Sequence, residues 1–552
     1  MAMPKLIMSS RLQTLVAGNA FLLGQAAWHC CPQPLPPSFR GLASQTTPRQ
    51  DQDRTIERGD GQPSNTPPIT PPKRDQPSAF SQRSPPDSAT FSTSDQTMPP
   101  GWEDSPEMHI EKFSQLPHRY FGTNQHIKIN DDFKETLRQI LWQFRAPIRY
   151  AFAYGSGVFS QSTTKPSSYS DHLSPHPNPP EAVKKWQSGG GKIIDFMFGV
   201  SHTQHWHSLN MAQHPSHYSA LRYTGSYALS RIQDSFGAGV YFNPYITVNG
   251  TMIKYGVVNL STICRDLSEW DTLYLAGRLQ KPVKILRDDP RVRLANQINL
   301  ISAVRTALLM LPERFTEREL YERVAGISYM GDPRMRFRAE NPKKVDNIVA
   351  AQLPNFRQLY VPLIDNLPNV LFTDHRLPKE DGWEKREATA NSAQSLAENV
   401  LGGPDGFQMQ QDMDPVRRGN MVRRLPQTFR QKLYYRYQTK FQIPGSAFDK
   451  IVEESRDEDA SSFRKRQGGE FEQRIAQQAD LEEVVAQCIR ATVGWPSTTQ
   501  SIKGVFTAGL GRSWRYYGEK RRKNREGGAG TGVEGGGRSE EKGEDRTKER
   551  QD

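Results

Sequence analysis

Two glycines flank one hydroxyl at the end of a short apolar run. The run reads YAFAYGSGVFSQ over residues 150–161, where Gly155, Ser156 and Gly157 interrupt the aromatic and aliphatic side chains. Glycine lets the backbone approach a ligand closely, and backbone N–H groups beside a hydroxyl can bind the oxygens of a phosphate. If a helix begins after the turn, its partial positive charge adds to that attraction. Alone, this motif is more often a simple tight turn, so a phosphate site needs support from another element.

A second apolar run, KIIDFMFGV at residues 192–200, carries one acid, Asp195. The pattern predicts a short strand in which Ile194 and Phe196 share one face while Asp195 and Met197 share the other. A carboxylate in a buried strand is costly unless it is paired with a cation or binds a metal. Asp195 is therefore a candidate metal ligand.

A Gly-Ser turn followed by an acid-bearing strand resembles the layout of the DNA polymerase β-type nucleotidyltransferase superfamily. In that superfamily the turn holds a nucleoside triphosphate and acids hold Mg²⁺, which neutralises charge and fixes the in-line geometry of phosphoryl transfer. The usual pattern has a second acid two residues after the first, where this sequence has Met197. Either one metal is lost or a distant acid replaces the missing ligand, and Asp266 and Asp271 are both candidates. The low-complexity insertion at residues 166–191 can loop out, because long surface loops add little closure entropy.

Nine blocks of sequence narrow this resemblance to one family. The chain is identified as a member of the mitochondrial phosphatidate cytidylyltransferase family, the translocator assembly and maintenance proteins. Its sequence in these blocks is most similar to members from filamentous fungi. The match covers about residues 148–364 and then 498–510. In order, the blocks are YGSGVFSQ, IDFMFGV, HWHSLN, HYSAL, GAGVYFNPY, NGTMIKYGVV, LYLAGRLQKPVKI, AGISYMGDPRM and QSIKGVFTAG.

The resemblance implies an activity and a place for it. The implied reaction converts CTP and phosphatidic acid to CDP-diacylglycerol and pyrophosphate with Mg²⁺, and it feeds cardiolipin synthesis. The implied location is the matrix side of the inner mitochondrial membrane, as a peripheral protein on the anionic membrane surface, and no nucleic-acid partner is expected. The family also keeps a single acid in this strand, so Met197 agrees with the resemblance.

The resemblance also implies roles for the glycine turn and the acid. Gly155, Ser156 and Gly157 would bind the CTP phosphates, and Asp195 would bind Mg²⁺. We expect Ser156 and Asp195 to be among the catalytic residues. No general base is assigned, because phosphatidate is already ionised at neutral pH.

Three cations complete the predicted nucleotide site. Lys254 lies on a predicted hairpin strand, on the face opposite Ile253, and we expect it to reach phosphate and take part in catalysis; a solvated lysine is the alternative. Arg278, also expected to be catalytic, and Lys281 follow a glycine-bearing bend. They could bind the triphosphate or the phosphatidate headgroup, Arg278 bidentately and Lys281 as a point charge. Purely structural roles for the pair are the alternative.

Five histidines fall within residues 202–217. A zinc site needs three or four convergent ligands and supporting acids, and no cysteine and only the distant Asp195 are nearby. We expect ordinary structural or surface roles, with contact to phosphate or cytidine as the alternative. His207 and His217 match family blocks and would be the contributors.

The elements that must position these residues predict an α+β fold. Apolar residues at helical spacing predict a helix over 129–142, another over 294–311 and a third around 345–364. Asn249-Gly250 between two apolar runs predicts a hairpin with a type I′ turn, and residues 316–319 form a capping box. We expect a polymerase β-type nucleotidyltransferase domain with a mixed sheet, then a helical or winged-helix-like domain and a C-terminal basic amphipathic segment.

The C-terminal segment has an aromatic stripe and a basic flank. On a helix, the stripe is Ile502, Phe506, Leu510, Trp514 and Tyr517, and cations such as Lys503 lie beside it. An aromatic stripe with cations suits an interfacial helix on anionic lipid. A helix packed on the core with a solvated tail is the alternative. The predicted membrane contacts are Phe506, Trp514, Tyr517, Arg512 and Arg515.

The remaining sequence predicts the division of the chain. The first fifty residues contain no acid, as in a mitochondrial presequence, although an unstructured tail and a secretory signal are alternatives. No stretch is apolar enough to span a bilayer. The predicted segments are 1–45 presequence, 46–105 disordered linker, 106–290 nucleotidyltransferase domain, 291–372 helical or winged-helix-like domain, 373–478 variable and loosely ordered charged region, 479–524 membrane-contact segment and 525–552 disordered tail.

Composition leaves two other functions open. The formal net charge is +12, and a basic excess favours an anionic partner without choosing among nucleic acid, nucleotide and lipid. The four cysteines show no metal-like or disulfide spacing. The alternatives are a nucleic-acid nucleotidyltransferase, which would lack the paired acids, and a non-enzymatic scaffold supporting mitochondrial protein import.

Overall fold

The structure is a computed structural model that describes five stretches of the chain. These are residues 110–159, 193–336, 340–373, 405–456 and 467–508. The predicted presequence, the linker, the insertion, the charged tail and the predicted membrane contacts other than Phe506 lie outside the described residues.

Strands and helices are interspersed as far as β8 in the described chain, and five helices follow it. The strands are β1 (Tyr150–Tyr154), β2 (Ile194–Val200), β3 (Val240–Val248), β4 (Thr251–Asn259), β5 (Lys284–Arg287), β6 (Arg314–Thr316), β7 (Val370–Phe372) and β8 (Gln408–Gln411). The helices are α1 (Asp131–Trp142), α2 (Thr203–Gln213), α3 (Gly225–Ser235), α4 (Leu260–Glu269), α5 (Ala276–Leu279), α6 (Pro290–Leu309), α7 (Glu317–Gly326), α8 (Pro333–Arg336), α9 (Lys344–Ile364), α10 (Pro415–Arg423), α11 (Gln427–Phe441), α12 (Gly445–Arg456), α13 (Glu470–Ala476) and α14 (Leu481–Ala508).

A five-stranded mixed sheet carries the predicted site. Its strand order is β3-β4-β2-β1-β5. Strand β2 runs parallel to β4 and antiparallel to β1, and β3 and β5 are antiparallel at the two edges. The prediction of an α+β fold with a mixed sheet is confirmed.

Alternation along β2 is as predicted. Ile194 and Phe196 pack into one apolar core together with Tyr255 of β4. Met197 packs into the larger core on the other face, which continues under the helices that follow. On the face that carries Asp195, the middle of β2 is therefore buried. Asp195 itself is the second residue of the strand and lies near its beginning.

Local signals in the sequence place several elements correctly. The side chain of Asn130 caps α1 by accepting a hydrogen bond from the Phe133 N–H at 3.1 Å. Asn249 and Gly250 have φ values of 48° and 75°, as a type I′ turn requires. Thr316 and Glu319 form the predicted capping box at the start of α7. Each signal acts over a few residues, which explains why it can be identified in the sequence.

A small second sheet accompanies the helices of the next region. Strands β6, β8 and β7 pair antiparallel in that order, close to α6, α7 and α9. A buried ion pair, Glu317 with Arg357 at 2.8 Å, joins α7 to α9. This region therefore combines helices with a small antiparallel sheet.

The charged region expected to be loosely ordered contains packed helices. In its described parts, α11 buries Phe429 and Leu433 in the larger core, and α10, α12 and α13 bury Val422, Phe448 and Ile475 there. Some of its arginines are buried too: Arg430 donates to the Ser455 carbonyl at 2.7 Å, and Arg423 pairs with Glu472 at 3.4 Å. The expectation was wrong because charge in a sequence does not distinguish a solvated side chain from one that binds carbonyl oxygens inside the fold.

Helix α14 packs on the mixed sheet and exposes apolar side chains on another face. Gln500 donates to the Val240 carbonyl at 3.1 Å, and Lys503 donates to the Phe236 carbonyl at 2.7 Å, near the end of α3. Lys503 is therefore buried and not available to lipid, contrary to the expectation. Ile502 and Phe506 are exposed. None of the helices in the described ranges is long and apolar enough to cross a membrane.

Candidate active site

The Gly155 turn ends β1 sharply. Gly155 has a φ of 83°, and its carbonyl accepts hydrogen bonds from the N–H groups of Val158 and Phe159 at 3.0 and 2.9 Å. Through Phe159, the last residue described before the insertion, the chain forms a turn and not the expected helix. The argument from a helix N-terminus therefore has no support in this turn.

The start of β2 packs directly on this turn. A β-carbon on Gly157 would lie 2.4 Å from the Ile193 carbonyl oxygen, so no larger residue fits there. A β-carbon on Gly155 would lie 3.3 Å from a carboxylate oxygen of Asp195. Ser156 is exposed, which leaves its hydroxyl accessible to a ligand. The glycines thus bring Ser156 and Asp195 to the same place.

Asp195 and Lys254 form a pair across the two parallel strands. They are partners in the β2–β4 register, so their side chains leave the sheet on the same face. The Lys254 Nζ lies 3.5 Å from Asp195 Oδ1, and the two side chains are 35% and 28% exposed. The ammonium also lies 4.5 Å from the centre of the Phe242 ring. An acid and a lysine, both accessible, therefore stand beside the Gly155 turn.

Arg278 approaches the same site from α5. Its Nε donates to the Tyr154 hydroxyl at 3.4 Å, and its guanidinium lies 3.8 Å from the centre of the Tyr274 ring. Tyr154 is the residue before the turn and the register partner of Asp195. Burial raises the pKa of the Tyr154 hydroxyl, which also senses Arg278, Asp195 and Lys254. Arg278 therefore contacts the Tyr154 hydroxyl, and Asp195 and Lys254 lie near enough to influence it electrostatically.

Asp266 has a different role from the one considered for it. Its buried carboxylate accepts hydrogen bonds from the backbone N–H groups of Leu273, Leu275 and Ala276 at 3.0, 2.8 and 3.1 Å. It also accepts from the N–H and hydroxyl of Thr272. With these five bonds Asp266 fixes the loop that leads into α5, so it is a positioning residue and not a metal ligand.

Asp271 is also engaged elsewhere. Its carboxylate lies 2.6 Å from Arg265 Nε and accepts from the Thr428 hydroxyl at 3.2 Å. Neither distant acid therefore replaces the missing second carboxylate. In the described ranges, no three His, Cys, Asp or Glu side chains are grouped closely enough to hold a metal ion.

The single carboxylate of Asp195 nevertheless fits Mg²⁺. This ion is commonly bound by one or two carboxylates together with substrate phosphates and water. Asp195 is accessible, and the exposed turn beside it offers room for phosphate. Asp195 would hold the ion, and the nucleotide would supply the other ligands.

Lys281 lies three residues after Arg278 and contacts the region beyond the mixed sheet. Its ammonium donates to the Gly277 carbonyl and to the Ser328 hydroxyl, the latter at 2.8 Å. A β-carbon on Gly277 would lie 2.3 Å from the Ser328 β-carbon, so these two segments touch. Burial and the charges of Arg278 and Lys344 lower the pKa of Lys281 to about 7.

Two of the five histidines belong to a buried hydrogen-bond network. His207 bonds to the Tyr218 hydroxyl at 2.9 Å and to Gln233 at 2.7 Å, and His217 bonds to the Tyr255 hydroxyl at 2.8 Å. Burial lowers the pKa of each of these two histidines to about 4. A buried, neutral imidazole would bind phosphate only weakly. The two histidines therefore support the structural interpretation and not the one in which they contact phosphate.

His202 and His205 lie at the other end of the sheet. They line an open pocket of about 430 Å³ with Ser208, Ser226 and Asn259. Asn259 ends β4, five residues after Lys254, so the pocket is about 16 Å along the strand from the Asp195 pair. These histidines do not reach the candidate active site.

Acid should destabilise the fold through His207. The unfolded chain binds a proton near pH 6.5, whereas the folded state binds it near pH 4, so stability falls as pH falls between these values. From pH 7 to pH 4.5 the loss is about 2.5 kcal/mol for this residue. Urea unfolding of the wild type and His207→Gln at both pH values measures it. If the free energy of unfolding fell equally in the two proteins between pH 7 and pH 4.5, His207 would not be the residue responsible for the loss.

The structure adds residues to which the sequence assigned no role. Tyr154 and Tyr274 contact Arg278, Phe242 lies under Lys254, and Ser328 binds Lys281. All four residues fall in the blocks that resemble the family, which was the available signal. Their roles depend on contacts between segments that are far apart in the chain, and no local pattern reveals those.

Comparisons with known proteins place this chain in one family. Residues 137–523 match the family described as "Phosphatidate cytidylyltransferase, mitochondrial". Among curated relatives with that same name, the Schizosaccharomyces pombe protein is 35% identical over 401 residues, which are 72% of this chain and 86% of the relative. The Xenopus laevis protein is 35% identical over 386 residues, 70% of this chain and 93% of the relative. The Saccharomyces cerevisiae protein is 41% identical over 275 residues, 49% of this chain and 65% of the relative. The matched family region contains the turn, the Asp195–Lys254 pair and Arg278, and the chain belongs to the mitochondrial phosphatidate cytidylyltransferase family.

Proposed function

We propose that this chain transfers the cytidylyl group of CTP to phosphatidate, giving CDP-diacylglycerol and pyrophosphate. The observation that carries the proposal is the accessible Asp195–Lys254 pair beside the Gly155 turn, in a chain of this family. One phosphate oxygen of phosphatidate attacks the α-phosphorus of CTP, and the bond to pyrophosphate breaks. No proton has to move, because the attacking oxygen is already ionised.

Each side chain would act on charge or position. Mg²⁺ held by Asp195 and the triphosphate would neutralise negative charge as pyrophosphate leaves. Lys254 would turn from Asp195 to a phosphate oxygen, and Ser156 would donate its exposed hydroxyl to another. Arg278 remains charged at every relevant pH and would stabilise charge that develops near Tyr154.

The product would feed cardiolipin synthesis on the matrix side of the inner mitochondrial membrane, where the enzyme would bind peripherally. The relatives are named mitochondrial, which supports the organelle. Exposed Trp495, Ile502 and Phe506 on α14 support contact with a lipid surface. The cations Arg512 and Arg515, with Trp514 and Tyr517, would continue this contact.

A turnover assay tests the activity. Full-length protein is incubated with labelled CTP, Mg²⁺ and phosphatidate vesicles, with phosphatidylcholine vesicles and an added RNA primer as separate arms. We expect labelled lipid only where phosphatidate is present, and none after Mg²⁺ is chelated. Label in RNA would favour the alternative nucleic-acid nucleotidyltransferase, and no label in lipid would overturn the proposal.

Removing residues 509–552 tests the membrane contact. A cut before Gln500 would also remove the bonds of Gln500 and Lys503 to the mixed-sheet region, so the cut belongs after Ala508. We expect about a tenfold loss of binding to anionic vesicles, because several aromatic and basic residues are lost together. Flotation of vesicles measures binding, and turnover of short-chain soluble phosphatidate serves as the control. Equal flotation of both proteins would exclude this segment as a membrane contact.

A further inference from the structure

Strand β3 contains a β-bulge opposite Lys254. The register of β3 against β4 shifts between Asn243 and Ile246. Within this shift, Pro244 and Tyr245 of β3 together oppose the single residue Lys254 of β4. A bulge of this kind bends its strand, increases the local twist and changes the direction of nearby side chains. An irregularity of the edge strand is therefore aligned with a residue of the predicted nucleotide site.

The packing of β3 agrees with one extra residue in the strand. Two apolar residues before the bulge lie in the larger core and two after it lie in the core of the opposite face: Val240 and Phe242, then Ile246 and Val248. All four have even numbers, so a regular strand would place them on one face. The bulge reverses the alternation, and Tyr245 therefore lies on the same face as Lys254.

The bulge holds Tyr245 in a strained backbone conformation. Its φ is 57°, in the left-handed region that bulky residues rarely adopt, and the residue is only 5% exposed. Strain of this kind persists only where the surrounding packing maintains it, and it is concentrated at functional sites. Pro244 suits the bulge, because proline has no N–H that the edge strand would leave unpaired.

The Tyr245 side chain connects the bulge to the Gly155 turn. Tyr245 and Met252 form a small buried cluster, and Ile193 packs against it. The Ile193 carbonyl oxygen is the atom that would lie 2.4 Å from a β-carbon on Gly157. The bulge, the start of β2 and the Gly155 turn are therefore packed against one another in sequence.

The neighbours of Lys254 on β4 are fixed from the opposite face of the sheet. Ile253 and Tyr255 are buried in the core of that face. The Tyr255 hydroxyl accepts from the Asn210 amide at 3.0 Å and bonds to His217 at 2.8 Å. With these neighbours held in place, the direction of the Lys254 side chain depends on the twist that the bulge imposes on the two strands.

We propose that the bulge at Pro244 and Tyr245 positions Lys254, which makes Tyr245 a positioning residue for the reaction. The bulge directs the Lys254 ammonium to its place 3.5 Å from Asp195 Oδ1 and 4.5 Å from the centre of the Phe242 ring. This inference rests on the proposed function for the role of Lys254. It adds the backbone feature that places this cation beside the carboxylate proposed to hold Mg²⁺.

A spectroscopic measurement tests the positioning with neither substrate present. Lysines of the full-length protein are reductively methylated with ¹³C-labelled formaldehyde, and the Lys254 resonance is identified by its absence in Lys254→Gln. Asp195→Asn shows how the resonance shifts when the ammonium loses its anionic neighbour. We expect Tyr245→Val to shift it too, because a β-branched residue does not accept a φ of 57°. Tyr245→Asn should leave it closer to its wild-type position, since asparagine tolerates the left-handed region.

Val248→Ala is the matched control, because Val248 lies on the same strand, beyond the bulge and in the core of the opposite face. It should lower the unfolding midpoint and leave the Lys254 resonance unchanged. An unshifted resonance in folded Tyr245→Val would overturn the proposal, and so would an equal shift in Val248→Ala. If Tyr245→Val does not fold, Tyr245→Ala takes its place, because alanine also disfavours the left-handed region.

Kinetics separates a failure of this inference from a failure of the proposed function. For Tyr245→Val we expect kcat/KM for CTP about 10-fold below that of Tyr245→Asn, because both lose the ring and only valine disfavours the bulge. In a Lys254→Gln background the two should differ by less than about twofold, since the effect passes through Lys254. Equal ratios in both backgrounds would overturn the positioning role. Wild-type protein without turnover would reject the proposed function, while the Lys254 resonance would still decide the positioning.

Discussion

Asp195→Asn should lower kcat by at least about 10³-fold, because it removes the one carboxylate that the site offers to Mg²⁺. An amide oxygen carries no net charge, so it neither holds the ion firmly nor balances Lys254. The free energy of unfolding should change by less than about 1 kcal/mol, since the Asp195–Lys254 pair is partly solvated and its atoms are 3.5 Å apart. Turnover of CTP with phosphatidate and thermal unfolding measure the two quantities.

The neighbouring cation provides the control for this variant. Lys254→Gln also breaks the ion pair but keeps the carboxylate, so Mg²⁺-dependent CTP binding should persist more strongly than in Asp195→Asn. Retained turnover in Asp195→Asn would remove Asp195 from the metal-binding role. A large drop in its unfolding midpoint would show instead that the carboxylate supports the fold.

Asp266→Asn should destabilise the protein by about 3–5 kcal/mol and reduce kcat/KM as well. The carboxylate accepts five hydrogen bonds, and an amide would turn an N–H₂ group towards N–H donors that it cannot satisfy. Leu273 in the same loop is buried with a φ of 55°, a strained conformation that those bonds maintain. Since the loop leads into α5, its loosening should displace Arg278.

Asp271→Asn is the matched control, because it lies in the same loop and has few buried partners. Its contacts are with an exposed Arg265 and with the Thr428 hydroxyl, so we expect a cost below about 1 kcal/mol. Urea unfolding gives both stabilities, and KM for phosphatidate against CTP reports the position of Arg278. Equal stability of Asp266→Asn and Asp271→Asn would reject the role assigned to Asp266.

The sequence by itself determined the elements whose cause is local. Alternation of apolar residues placed Asp195 on a definite face of β2, and the positive φ of Asn249 and Gly250 followed from the preference of that dipeptide for a type I′ turn. The capping box at Thr316 likewise depends on residues three apart. The blocks that resemble the family identified the residues around the Gly155 turn. They did not predict which of these residues contact one another.

Only the tertiary structure decided which of these residues meet. The parallel register of β2 and β4 pairs Asp195 with Lys254, the Asp266 loop brings Arg278 to Tyr154, and Lys281 reaches Ser328 across 47 residues of chain. The same dependence explains why His207 is buried and why the charged region contains packed helices. Such contacts arise from packing between distant segments, whose energy is shared over many residues and leaves no pattern in any single stretch of sequence.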